Sequence, residues 1–347
     1  MKNSVRAGLA GVLACGVIGT AIGIVRDDGG SGDDSTPSKG PYVALGDSYT
    51  SGPRIPDRTG TPAGCERSDR NYPTLVARRL GLDSADFDDV SCSGATIADL
   101  SAAQSTDDGV NPPQLSALSA RTRLITVGIG ANDIDFIGLI KRCVTAGAVY
   151  FATGSGTGSG GENLPGDAPC RAQYVSGDTD EVRQRTETAE RMLSRTLGEV
   201  KRRAPHARVH VVAYPAILPA DGHGCGREMG LAPGDVTFLR EKEQQLNAML
   251  RRRAEAAGAG YVDTYEPSEG HDACSASATR WIEPLVPASP AASVHPNERG
   301  ERGMAAAVLD AMGAVDAMGT WFGLRPSPSS FRNIRAHQKV RVTPWPR

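Results

Sequence analysis

Four short stretches of the 347-residue chain hold side chains that could together carry out acyl transfer: Gly46-Asp47-Ser48, Ser93-Gly94-Ala95, Gly130-Ala131-Asn132-Asp133 and His295-Pro296-Asn297. A serine hydroxyl attacks a carbonyl only when a base takes its proton, and imidazole can do so near neutral pH. Ser48 is therefore the candidate nucleophile and His295 the candidate base. The tetrahedral intermediate of such an attack carries negative charge on the former carbonyl oxygen, which preorganised N–H groups must meet. The backbone N–H groups of Ser48 and Gly94 and the side-chain amide of Asn132 are donors of the right kind. Gly94 suits this task because a residue without Cβ permits close approach and unusual dihedrals.

Such residues need a frame that brings them to one place. Runs rich in β-branched and apolar residues predict strands at Tyr42–Leu45, Phe87–Ser91, Leu124–Gly128, Val209–Ala213 and Tyr261–Asp263. Between them lie segments of helical periodicity. Thr179 is read as the cap of a helix running through Val182, Ala189, Leu193, Leu197 and Val200, stopped at Ala204-Pro205. Asp235 is read as opening a helix towards Leu250, and Asn297 as preceding a last one through Met312. Strands alternating with helices predict a parallel sheet with helices on its faces. Ligands of such sheets gather at the carboxyl ends of the strands, and the first three blocks each come directly after a predicted strand.

Taken in order, the Ser, Gly, Asn and His blocks resemble those of the SGNH hydrolases, also called GDSL esterases and lipases. The resemblance implies an α/β protein, a three-layer α/β/α sandwich around a flavodoxin-like parallel five-stranded sheet. It also implies a serine ester hydrolase working through an acyl-enzyme on Ser48 with His295 as base, and an oxyanion hole of Ser48, Gly94 and Asn132. Gly270-His271-Asp272-Ala273-Cys274, Arg280-Trp281-Ile282-Glu283-Pro284 and six cysteines look like the secreted actinobacterial branch. Disulfides there pair sequentially, which carried over gives Cys65 with Cys92, Cys143 with Cys170, and Cys225 with Cys274. One position departs from the pattern: the family's usual Asp three residues before the histidine is Ala292 here. In the resembled branch a backbone carbonyl just upstream can orient the imidazole instead, and either Ala292 or Ser293 could supply it. Asp263, Asp272 and Glu283 are alternative orienters, whereas Asp47 is read as structuring its own loop. The expected substrate is a small-molecule or lipid carboxylic ester. Two further readings stand beside it: a polysaccharide O-acetylesterase, and a noncatalytic module that binds acylated glycans, suggested by the missing Asp.

Composition and the chain ends bound the rest. With 38 basic against 40 acidic residues the net charge is −2, which provides no field for nucleic acid. Hydrophobic residues at 39% and charged residues at 22% exclude a disordered or fibrous chain. Residues 1–26 pair Lys2 and Arg6 with an uncharged run from Ala7 to Val25, the layout of a secretory signal; an uncleaved membrane anchor is the alternative. Residues 27–40, rich in Gly, Ser and Asp, read as a flexible linker, and 41–324 as the folded domain. Residues 325–347 carry six basic and no acidic side chains, leaving −8 on the remainder. This tail reads as a disordered end, with contact to an anionic envelope or lipid surface as the alternative. Without Cys15 an even six cysteines remain, and none forms the C-x-x-C pairs of structural zinc sites. His206, His210 and His223 are not read as a metal site, and Gly154–Gly161 reads as a flexible insertion. The sequence thus predicts a secreted monomer that uses no metal and no cofactor.

Overall fold

A computed structural model describes residues 41–153, 167–220, 225 and 229–313 of the chain. The signal or anchor, the linker, the basic tail, the Gly154–Gly161 tract and His223 lie outside the described residues. The central sheet has strands β1 (Tyr42–Gly46), β2 (Phe87–Asp89), β3 (Leu124–Gly128), β4 (Arg208–Val212) and β5 (Gly260–Val262). All neighbours are parallel and the order is β2-β1-β3-β4-β5. Every residue of β1 and β3 is buried, as expected of parallel strands covered on both faces. Their alternate side chains feed two cores. Val43, Leu45, Ile125 and Val127 pack on one face with helices α3 (Phe136–Ala152), α4 (Glu181–Arg203) and α5 (Pro233–Ala256). Tyr42, Ala44 and Leu124 pack on the other with α2 (Tyr72–Leu80) and α6 (Glu298–Ala311). This is the three-layer α/β/α sandwich.

Strand β1 runs one residue further than the sequence reading and β4 and β5 each lie one residue earlier; three other boundaries differ for a local reason. Edge strand β2 ends at Asp89, although the Val90 and Cys92 N–H groups still donate to the β1 carbonyls of Ala44 and Gly46. Asp180, not Thr179, caps α4 by accepting the Arg183 N–H, while Thr179 pairs with Ser176 in a two-residue ladder. Pro233 sets the start of α5, and Asp235 in its first turn instead receives the N–H groups of Cys170 and Arg171. Asn297 does cap α6, accepting from Arg299 and Gly300.

The chain leaves β1 for β2 on one side and returns to β3 on the other. That reversal opens a crevice at the carboxyl ends of β1 and β3, where ligands of doubly wound sheets bind. Disulfides join Cys65 to Cys92, Cys143 to Cys170, and Cys225 to Cys274, the sequential pairing.

Candidate active site

Ser48 opens a one-turn helix, α1 (Ser48–Ser51), directly after β1. The turn is fixed from both sides. Gln114 brackets Gly46 by accepting its N–H at 2.8 Å and donating to its carbonyl at 2.9 Å. The Asp47 N–H donates to Gly128 at 3.0 Å, and its carboxylate accepts the Tyr49 N–H at 3.0 Å, capping α1. Asp47 thus structures its own loop.

His295 reaches this turn from the far end of the chain. Its Nε2 lies 2.8 Å from Ser48 Oγ, and its Nδ1 lies 2.8 Å from the Ser293 carbonyl. A carbonyl only accepts, so Nδ1 carries the proton and Nε2 is left free to accept the serine hydroxyl. Of the two backbone carbonyls named as candidates, that of Ser293 lies within hydrogen-bond distance of Nδ1. The Ala292 carbonyl does not, because the turn points it at the His295 backbone N–H at 3.2 Å. The carboxylates named as alternatives are engaged elsewhere: Asp263 with Arg251 and the Tyr265 N–H, Asp272 with the Cys274 N–H, and Glu283 with the Asn297 amide. Ser48 and His295 are 6% and 8% exposed, shielded yet reachable. Burial pushes the imidazole down to about 4; the Ser293 bond opposes this, while the charges of Lys141 and Arg54 add to it.

The remaining blocks follow β2 and β3 at the same carboxyl end of the parallel sheet. Gly94 has φ +79, a backbone conformation natural to glycine. The peptide that bears its N–H is held through the Ser93 carbonyl, which accepts from Gln104 Nε2 at 2.9 Å. Asn132 Nδ2 donates to the Ala95 carbonyl at 2.8 Å, which ties the two blocks together and leaves its second amide hydrogen for a ligand. Asp133 accepts the Ile97 N–H, and burial pushes its carboxyl up to about 6.

Three side chains that sequence reasoning did not single out join these parts. Tyr214, two residues past the end of β4, donates its hydroxyl to Asp47 at 2.6 Å and accepts the Ala131 N–H at 2.9 Å. Its position after a strand is a signal that the carboxyl-end rule could have found. Tyr49 donates to the Val294 carbonyl, and Gln104 holds the Gly94 peptide; neither has a spacing that marks it. Burial pushes Asp47 up to about 7, against the opposing bonds from Tyr214 and Tyr49.

Among the described residues, His210 and His271 stay out of this site. His271 stacks on Trp281 and binds the Thr279 carbonyl, and His210 is buried in β4 beside Gly260. Among the described residues no group of three His, Cys, Asp or Glu side chains could hold a metal ion.

The chain has relatives among known proteins. "Lipase 2" of Streptomyces coelicolor is 42% identical over 274 residues, covering 78% of this chain and 85% of that protein. An "Esterase" of Streptomyces scabiei is 27% identical, covering 78% and 85%. The crystal structure of phospholipase A1 from Streptomyces albidoflavus NA297 superposes with a TM-score of 0.61 at 27% identity, covering 80% of this chain and 99% of that one. The profile of the GDSL-like lipase/acylhydrolase family matches residues 44–302, a span that takes in Ser48, Gly94, Asn132 and His295. With the match running through the whole sheet and every block of the site, this chain belongs to the GDSL-like lipase/acylhydrolase family.

Proposed function

We propose that the chain is an exported carboxylic ester hydrolase that cleaves acyl esters, lipids among them, through an acyl-enzyme on Ser48. The observation that carries this reading is the relay of Ser48 Oγ, the His295 ring and the Ser293 carbonyl, with 2.8 Å at each link. Ser48 Oγ attacks the ester carbonyl carbon while His295 Nε2 takes its proton. The oxyanion is met by the N–H groups of Ser48 and Gly94 and the free amide hydrogen of Asn132. The imidazolium then protonates the alkoxide as the alcohol leaves. Water attacks the acyl-enzyme with His295 again as base, which releases the carboxylic acid and restores Ser48. The Ser293 carbonyl fixes the tautomer throughout but gives the imidazolium a dipole where a carboxylate would give a charge. One chain holds every group these steps need, so the site is complete in a monomer. Export agrees with three disulfides, which persist in oxidising compartments, and with the layout of residues 1–26.

The test is release of nitrophenolate from p-nitrophenyl acyl esters of increasing chain length by the purified protein. Turnover is expected, with kcat/KM lost on the acid side as the imidazole protonates near 4, below the range in which the Asp47 and Asp133 carboxyls titrate, about 7 and about 6. A protonated ring cannot accept the serine proton, so the fall lies on the acid side. A folded protein that turns over no ester of the series overturns the reading in favour of the acyl-glycan binding module. Asn132→Ala should lower kcat by about 10²- to 10³-fold, the usual effect of losing one oxyanion donor, with little change in KM.

A further inference from the structure

With Ala at position 292, the acceptor at His295 Nδ1 is the Ser293 backbone carbonyl. A carboxylate is aimed by its own side-chain torsions; a backbone carbonyl is aimed by the path of the chain. That path is unusual here, because Val294 lies at φ +62, a left-handed conformation that β-branched residues rarely adopt. The turn persists only if its surroundings hold it. The Val294 N–H donates to Glu283 at 3.0 Å, the Glu283 N–H to His295 at 3.0 Å, and the Ala292 N–H to Pro53 at 3.0 Å. The Val294 carbonyl is held by a side chain: the Tyr49 hydroxyl donates to it at 2.5 Å.

Tyr49 is 3% exposed and its ring does a second job. It lies 4.8 Å from the imidazole centroid at an interplanar angle of 35°, and Tyr214 braces it edge-on at 5.1 Å. Its own N–H is fixed by Asp47. The residue directly after the nucleophile therefore reaches the residue directly before the base.

We propose that Tyr49 is a positioning residue that takes over the orienting task of the absent carboxylate, holding the 293–295 turn so that the Ser293 carbonyl meets Nδ1 of His295. The proposal rests on reading Ser48 and His295 as nucleophile and base.

Tyr49→Phe keeps the ring and removes only the hydroxyl, and is compared with the parent protein by kinetics, thermal unfolding and proton NMR. The Nδ1–H signal, assigned by its loss in His295→Gln, lies downfield in the parent. In Tyr49→Phe it should move upfield or broaden, with kcat down tenfold or more, KM within about twofold and cooperative unfolding retained. An unmoved signal overturns the proposal whatever happens to kcat, since the hydroxyl would then act elsewhere; so does an unchanged kcat. Should Tyr49→Phe not fold, its combination with Val294→Gly decides, because glycine adopts the left-handed turn without the clamp. A folded double variant with the signal at the parent's position supports a hydroxyl that acts through the turn; a displaced signal, or a double variant that still does not fold, overturns it. The signal needs no substrate, so a parent protein without ester turnover refutes the proposed function and leaves this test readable.

Discussion

Ser48→Ala should leave the folded protein with ester turnover reduced on the order of 10⁴-fold or more. In the proposed mechanism the missing oxygen is the atom that forms the acyl bond, and residual catalysis would come only from the oxyanion donors and from binding. Removing one oxygen from a residue that sits 2.8 Å from His295 Nε2 changes little else, since the ring can take a water in its place. Nitrophenolate release, with circular dichroism to check the fold, measures the effect. Retained turnover in pure Ser48→Ala protein would remove the serine from the mechanism altogether.

Gly46→Ala should act on stability with comparable force, because this glycine sits where no Cβ fits. A Cβ there would stand 2.1 Å from Thr50 Oγ1 and 2.6 Å from the Gly128 carbonyl oxygen. Thr50 could rotate, at the loss of its own bond to Gly128, but the carbonyl belongs to β3, paired in register with β1. Gln114 grips both polar groups of the Gly46 backbone, so the strand cannot slide away. Overpacking of this kind costs about 3 kcal/mol. The urea midpoint should fall by about 1 M with the slope unchanged. A midpoint that does not move would show that the turn before Ser48 is softer than its contacts indicate.

How much of this could be read from the sequence depends on which interactions are local. Strands β1 and β3 announce themselves, because a strand covered on both faces is apolar at every position. Ser48, Gly94 and Asn132 could be found because each comes after a strand, and His295 because its block comes last in the familiar order. The choice of Ser293 over Ala292 could not, since it depends on the φ angle of Val294 and on no side chain at either position. The same holds for Tyr49, while Tyr214 is marked only by its place after a strand. A buried tyrosine reads as core, and their hydroxyl partners lie 245 and 167 residues away in the chain. Thr179 and Asp235 misled for the opposite reason: both are good residues for a helix start, but Asp180 caps α4 and Pro233 in the first turn starts α5.

In the proposed relay, the use of a main-chain oxygen as orienter also changes how the site can be lost over generations. A triad acid disappears with a single codon change. The carbonyl of residue 293 is present whichever amino acid is encoded there, and equally indifferent to the identity of residue 292. The vulnerable quantity is the length of the segment between Glu283 and His295, whose two ends are bonded to each other. Descendants of this chain would therefore be disarmed at this point by insertion, deletion or proline, and would drift more freely in the side chain at 292 than at 293, whose hydroxyl donates to the Leu285 carbonyl at 2.7 Å.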